Sequence, residues 1–177
     1  MSKAVLISLH PEWCEKIING QKTIEVRKTR PKMNPPFKCY IYRSVQGGVI
    51  GEFVCDHIFE RIVRVGASCE APKYCICDWN MDCTPLDTLL ADACLTKDEL
   101  EKYLDGGVGY GWHISNLKIY DTQKELIEFH TWKKCKSCNK SGYESTACIY
   151  DENCIIPAAI TKAPQSWCYV EEEIWND

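Results

Sequence analysis

The run Lys22-Thr23-Ile24-Glu25-Val26-Arg27 puts an ammonium, a hydroxyl, a carboxylate and a guanidinium into one short stretch. Read as a strand, it places Thr23, Glu25 and Arg27 on one face and Ile24 and Val26 on the other, with same-face residues about 7 Å apart. At that spacing Glu25 and Arg27 can contact opposite sides of one small planar ligand. The carboxylate would accept from an amino group, and Arg27 or Lys22 would take a carbonyl or phosphate oxygen. The competing reading is a solvated strand face whose Glu–Arg pair contributes little.

Base recognition also needs a stacking surface, each stack being worth about 1–3 kcal/mol. Trp13 stands on the first helix near Lys22. Trp112 and His113 are adjacent on a strand, so at most one faces the same site. Against this, a large aromatic is usually core, and a histidine is more often structural or simply exposed.

A second group is Cys135-Lys136-Ser137-Cys138, followed by Cys148 and Cys154. Four thiolates this close can close a tetrahedral structural zinc site and pin a loop poor in apolar residues. With 13 cysteines in 177 residues, about one C-x-x-C pair is expected by chance, so the clustering carries the argument rather than the pair. Cys69, Cys75, Cys77 and Cys83 form a looser group without such a knuckle. Cys14, Cys39, Cys55, Cys94 and Cys168 fall at patterned positions, where a free thiol acts as a small apolar side chain.

The elements that must position these residues follow from pattern. Ala4–Leu9 reads as a strand, His10–Gly20 as a helix with Pro11 in its first turn, and Thr23–Arg27 as a strand. Three prolines make Thr29–Pro36 a loop. Phe37–Arg43 is a strand, Gln46-Gly47-Gly48 a turn, and Val49–Val65 a long or broken strand region. Residues 66–94 read as an irregular insertion with a short helix around Leu86–Ala91. Thr96 and Glu99 have capping-box spacing before the stripe Leu100, Tyr103 and Leu104, and Thr122 and Glu125 repeat it before Leu126 and Phe129. Tyr110–Tyr120 is extended between these two predicted helices, and Ser166–Val170 is the closing strand after a cysteine-rich loop at about 133–156. The whole is expected to be a single domain over 1–177.

Charge and composition narrow the function classes. The formal net charge of −4 and pI near 5.6 argue against a long, sequence-independent grip on DNA, which needs many cationic contacts. No apolar run reaches the roughly 18–20 residues needed to span a bilayer, and the opening segment lacks the core and cleavage site of a secretory signal. No membrane role and a cytoplasmic location are expected. The odd cysteine count speaks against a disulfide framework. Compact size and cysteine abundance fit a phage or bacterial protein.

The helix followed by Asn19-Gly20-Gln21-Lys22-Thr23-Ile24-Glu25-Val26-Arg27, then Gly51-Glu52-Phe53 and the late Gly111-Trp112-His113-Ile114-Ser115, resembles the ASCH domain family. The likeness covers roughly residues 3–65 and 95–120, with the closing strand near Trp167. It implies an α+β, PUA-like fold: a small, mostly antiparallel β-barrel flanked by helices. It also implies a cleft beside the helix-to-strand turn that accepts RNA, a nucleotide or a modified nucleoside. Carried over, Lys22, Glu25 and Arg27 would line that cleft, with Ser8 and Glu52 as supporting partners; the need for a stacking surface adds Trp112 and His113 as candidate ligand contacts.

Some bacterial members of that family are amidohydrolases that deacetylate N4-acetylcytidine, with a motif ending K-T-I-T whose lysine and second threonine are catalytic, together with a distant glutamate. Here Glu25 replaces that threonine, and only Asp92 offers a carboxylate near Ala93 and Cys94. A Glu25 nucleophile would have to form an anhydride, which leaves a displaced Lys22/Thr23 pair as the other option. Binding is therefore the expected function. A nucleoside amidohydrolase using Lys22, Thr23 and Glu25 is the first alternative, and a zinc-stabilised protein-interaction module is the second. No organic cofactor is expected.

Overall fold

The computed structural model describes residues 3–64, 74–77, 83–84, 86–134 and 155–171. In chain order the elements are β1 (Lys3–Leu9), α1 (Pro11–Ile18), β2 (Ile24–Arg27), β3 (Phe37–Arg43), β4 (Val49–Cys55), β5 (Ile58–Arg64), β6 (Tyr74–Cys77), β7 (Cys83–Thr84), α2 (Asp87–Ala93), α3 (Lys97–Leu104), β8 (Gly109–His113), β9 (Ser115–Lys124), β10 (His130–Lys134), β11 (Ile155–Ala159) and β12 (Trp167–Glu171).

These strands form an α+β fold, mostly antiparallel as expected, but they do not close into a barrel among the described residues. One five-stranded sheet has the order β12-β1-β3-β4-β9, a second has β2-β8-β5-β6-β7, and β10 pairs with β11 alone. The one parallel pair among the described strands is β1 with β3. Two corners join the sheets. The chain passes from β4 into β5 through Asp56-His57, and from β8 into β9 through Ile114, so the extended stretch Tyr110–Tyr120 is two strands belonging to different sheets.

Each sheet has its own core. Val5, Ile7, Cys39, Ile41, Phe53 and Trp112 are among the buried residues on one face of the first sheet, closed by Cys14 and Ile17 of α1. On its other face, Ala4, Leu6, Tyr40, Val49 and Val170 pack with Phe129. The second sheet buries Ile24, Val26 and Ile62 against Leu89, Leu90 and Ala93 of α2 and Leu100 and Leu104 of α3. Gly111 allows that approach, since a Cβ there would lie 3.1 Å from Ile24 Cγ2 and 3.3 Å from Leu89 Cδ1.

The Thr96/Glu99 capping box is present: Glu99 N–H donates to Thr96 Oγ1 at 3.2 Å, and Thr96 N–H donates to Glu99 Oε2 at 2.8 Å. Its copy is not. Thr122 belongs to β9, which stays paired to β4 as far as Lys124, and the expected helix shrinks to one 3-10 turn, Leu126–Glu128, boxed by Glu125 and Glu128. Sheet pairing has overridden a local helix signal. Cys135, Cys138, Cys148 and Cys154 lie outside the described residues, as does Cys69, and no group of three or more potential metal ligands occurs among the described ones.

Candidate functional site

Gly20 follows α1 at φ +70°, and the reversal lets Gln21 and Lys22 N–H both donate to the Lys16 carbonyl. The chain then enters β2, where all four residues are buried. Ile24 and Val26 join the core under α2, so by alternation Glu25 and Arg27 face the other way. In the antiparallel ladder Glu25 stands opposite Trp112, whose ring lies in the core of the first sheet. The charged face of β2 therefore points inward, where the two sheets meet.

Lys22, Glu25 and Arg27 are only 3%, 7% and 9% exposed. The solvated-face reading is wrong for this strand. Lys22 Nζ lies 3.1 Å from Glu25 Oε2, and Arg27 Nε lies 3.0 Å from Glu25 Oε1. The second contact is close but not aligned as a hydrogen bond, so the Arg27 Nε–H is buried without an acceptor in line. One carboxylate is thus held between two cations.

Each cation is also tied to a separate element. Lys22 Nζ donates to the Ala93 carbonyl at 2.8 Å, at the C-terminal end of α2, where the helix dipole favours a positive charge. The Thr23 N–H donates to the Asp92 carbonyl beside it. Arg27 Nη2 donates to the Ser8 carbonyl at 2.7 Å, and Nη1 to Ser166 Oγ at 3.2 Å. Ser8 in turn donates from Oγ to the Pro164 carbonyl. Ser8, which the family resemblance gives as a supporting partner of the cleft, contacts Arg27 through its carbonyl and not its hydroxyl.

Two aromatic rings stand beside the cluster. Lys16 and Lys22 ammoniums lie 4.6 and 5.0 Å from the centre of the Trp13 ring. Tyr103 of α3, partly exposed, carries the Lys28 ammonium 5.3 Å from its ring centre. Burial pushes the Tyr103 phenol above its ordinary pKa, with the Arg27 charge opposing and the Glu25 charge adding to that shift. Tyr103 and Ser166 were not found as site residues by sequence reasoning. Tyr103 reads there as part of a helical core stripe, and Ser166 only as the start of a strand.

The other expected residues are placed elsewhere. Glu52 stands opposite Tyr40 in the β3–β4 ladder, on the face away from Phe53 and Trp112. It accepts from Tyr120 Oη at 2.6 Å and lies 3.6 Å from Lys38 Nζ, sharing no partner with the Lys22 cluster. Trp112 is fully buried, its ring 6.0 Å from Phe37 and 5.9 Å from Trp167, with Nε1 unpartnered. It is a wall of the core behind Glu25 rather than an open stacking face. His113 emerges on the opposite face of β8 and pairs with Asp56, Nδ1 to Oδ1 2.7 Å. The His113 hydrogen bond, helped by Ser115, holds the Asp56 carboxyl below its ordinary pKa. Cys14, Cys39, Cys55 and Cys168 are free thiols whose pKa burial raises, to about 11 for Cys14 and about 12 for Cys55. They are packing residues, as their pattern predicts.

An α+β protein with two sheets meeting over an inward-facing Lys–Glu–Arg cluster, just after a helix-to-strand reversal, is the class this geometry defines. Residues 7–71 match the model of the ASCH domain family. The fold is also that of solved ASCH structures. The ASCH protein of Zymomonas mobilis aligns over 96% of this chain and 88% of its own, at 16% identity and a TM-score of 0.56. A serine-to-alanine mutant of that protein gives 15% identity, 96% and 89% coverage and 0.56, and a tyrosine-to-phenylalanine mutant gives 19% identity, 71% and 77% coverage and 0.50. At such identities the likeness establishes the fold alone. No curated protein matches the chain. Among the described residues no helix is long and apolar enough to cross a membrane.

Proposed function

We propose that the protein binds a nucleotide, a modified nucleoside or an RNA end at the Lys22/Glu25/Arg27 cluster. The observation that carries this reading is a carboxylate held between two cations at less than a tenth exposure, beside the rings of Trp13 and Tyr103. Buried charge of this kind is a weak source of stability. It does suit recognition, because charged groups fixed away from water discriminate strongly between matched and unmatched ligand edges. Glu25 would accept a base amino group. The Arg27 Nε–H, which has no aligned acceptor, would take a carbonyl or phosphate oxygen.

The test is equilibrium binding of nucleosides, modified nucleosides, 5′-monophosphates and short RNAs to the wild type and to Glu25→Gln. The variant keeps shape and one acceptor but loses the charge. A preferred ligand should lose at least tenfold in affinity while the circular dichroism spectrum is unchanged; equal affinity in the two proteins would sink the assignment. In the same series, N4-acetylcytidine is incubated with the protein and followed for cytidine and acetate. Turnover that disappears in Lys22→Ala would put the amidohydrolase alternative ahead.

A further inference from the structure

From Val26 to Gly51 the chain carries six lysines and arginines and no aspartate or glutamate, although the chain's own average composition would put about four acids in a stretch of that length. The protein as a whole is acidic, so this is a strong local reversal of sign. Beyond Arg27, three of the cations, Lys28, Arg30 and Lys32, leave the candidate site directly along the loop after β2.

That loop is held against the first sheet. Thr29 Oγ1 accepts from Trp167 Nε1 at 3.0 Å, Lys32 N–H donates to Tyr169 Oη at 2.7 Å, and Pro31 is buried. Trp167 and Tyr169 share one face of β12, their rings 5.3 Å apart, and both are partly exposed. The Trp167 ring reaches Trp112, which backs Glu25. A row of aromatic rings thus runs from the buried cluster to Lys32. The Lys28 and Lys32 side chains are exposed, and neither has a carboxylate partner among the described residues.

We infer that this loop and the Trp167–Tyr169 edge form a track for a single-stranded oligonucleotide, whose phosphates lie on Lys28 and Lys32 while its terminal or everted nucleotide occupies the Lys22/Glu25/Arg27 site. The inference rests on the proposed nucleotide-binding reading and extends it from one nucleotide to a strand. Cations interleaved with rings are what a single strand needs, because the ammoniums neutralise phosphates and the rings accept bases of any sequence. The track is short and set in an acidic molecule, which suits one strand and not a long duplex grip.

The experiment measures binding of cytidine, cytidine 5′-monophosphate and single-stranded hexacytidylate over a salt series, with the wild type and the double variant Lys28→Ala/Lys32→Ala. Both lysines are exposed, so the double variant should melt with the wild type. The hexanucleotide should bind at least tenfold more tightly than the monophosphate at low salt. The double variant should erase that advantage, with the log–log salt slope falling by about 1.4, since each phosphate contact on a single strand contributes about 0.7. If the monophosphate binds but the hexanucleotide gains nothing, or the double variant leaves its affinity and slope unchanged, the track is overturned while the nucleotide site stands. Failure of all three probes to bind would overturn both. Displacement of the hexanucleotide by polyglutamate at equal charge concentration would show an acidic-peptide surface and overturn the nucleic-acid assignment.

Discussion

The Lys22–Glu25–Arg27 cluster and the Asp56–His113 pair both set a carboxylate against cationic or ring nitrogens close to where one sheet hands over to the other. Their environments differ sharply. The first is less than a tenth exposed and is tied to α2, β1 and the start of β12, whereas the Asp56 and His113 side chains are 44% and 39% exposed and are held by a single short contact, supplemented by Ser115. Burial makes each member of the cluster dependent on the others, because losing one strands a charge away from water. Solvent makes the Asp56–His113 contact nearly dispensable. The spare binding capacity should be sought in the cluster, where a ligand can substitute for a missing partner and water cannot.

The contrast can be broken most forcefully with Glu25→Leu, which leaves Lys22 and Arg27 buried side by side. Chemical denaturation should show a loss of about 3–5 kcal/mol, the usual cost of removing one partner from a buried pair. A loss below about 1 kcal/mol would mean that the cations are screened and the cluster is not dry. Gly111→Ala attacks the same cluster from a distance. The added methyl presses on Ile24, Leu89 and Phe59, and displacement passed through Leu89 to α2 would reach the Ala93 carbonyl that holds Lys22. A cost of about 1–3 kcal/mol is expected, with weaker ligand binding as the accompanying readout. Unchanged stability would show that the helix yields without disturbing the site.

Asp56→Asn sharpens the other side of the comparison and should have the smallest effect, within about 1 kcal/mol at neutral pH. Its pH dependence has a fixed sign. The folded Asp56 carboxyl lies below its ordinary value, so its contribution is fully present above the unfolded pKa of about 3.9 and is lost as pH falls through the lower folded value. Wild type and variant should therefore begin to converge as pH falls below about 4 and coincide once it is below the folded value. A difference that persists there would assign the effect to packing rather than charge.

Local chemistry was the legible part of the sequence. The β1–α1–β2 order, the polar face of β2, the Thr96/Glu99 box and the family resemblance all follow from residues near one another in the chain. Partners far apart in sequence were the illegible part. Nothing local says that Arg27 reaches Ser166, that Tyr103 lies within the field of Arg27 and Glu25, or that Glu52 faces away with Tyr40. The same limit left a solvated face of β2 standing as a competing reading, because alternation gives the two sides of a strand but not what covers them. Thr122 and Glu125 show the reverse error: a sound local signal lost to a distant strand partner, near Val49.

The hydrogen bonds joining Ser8, Arg27, Pro164 and Ser166 also set an order of events during synthesis. The site's lysine, carboxylate and guanidinium leave the ribosome well before Ser166, which is made 139 residues after Arg27, and β12 follows it. Until then Arg27 lacks one of its acceptors, and β1 presents an open edge on the side that β12 will cover. Translation therefore delivers a chain whose Arg27 contacts stay incomplete until almost its last described strand is in place. A product that stops short of residue 164 would expose both an incomplete site and an adhesive strand edge.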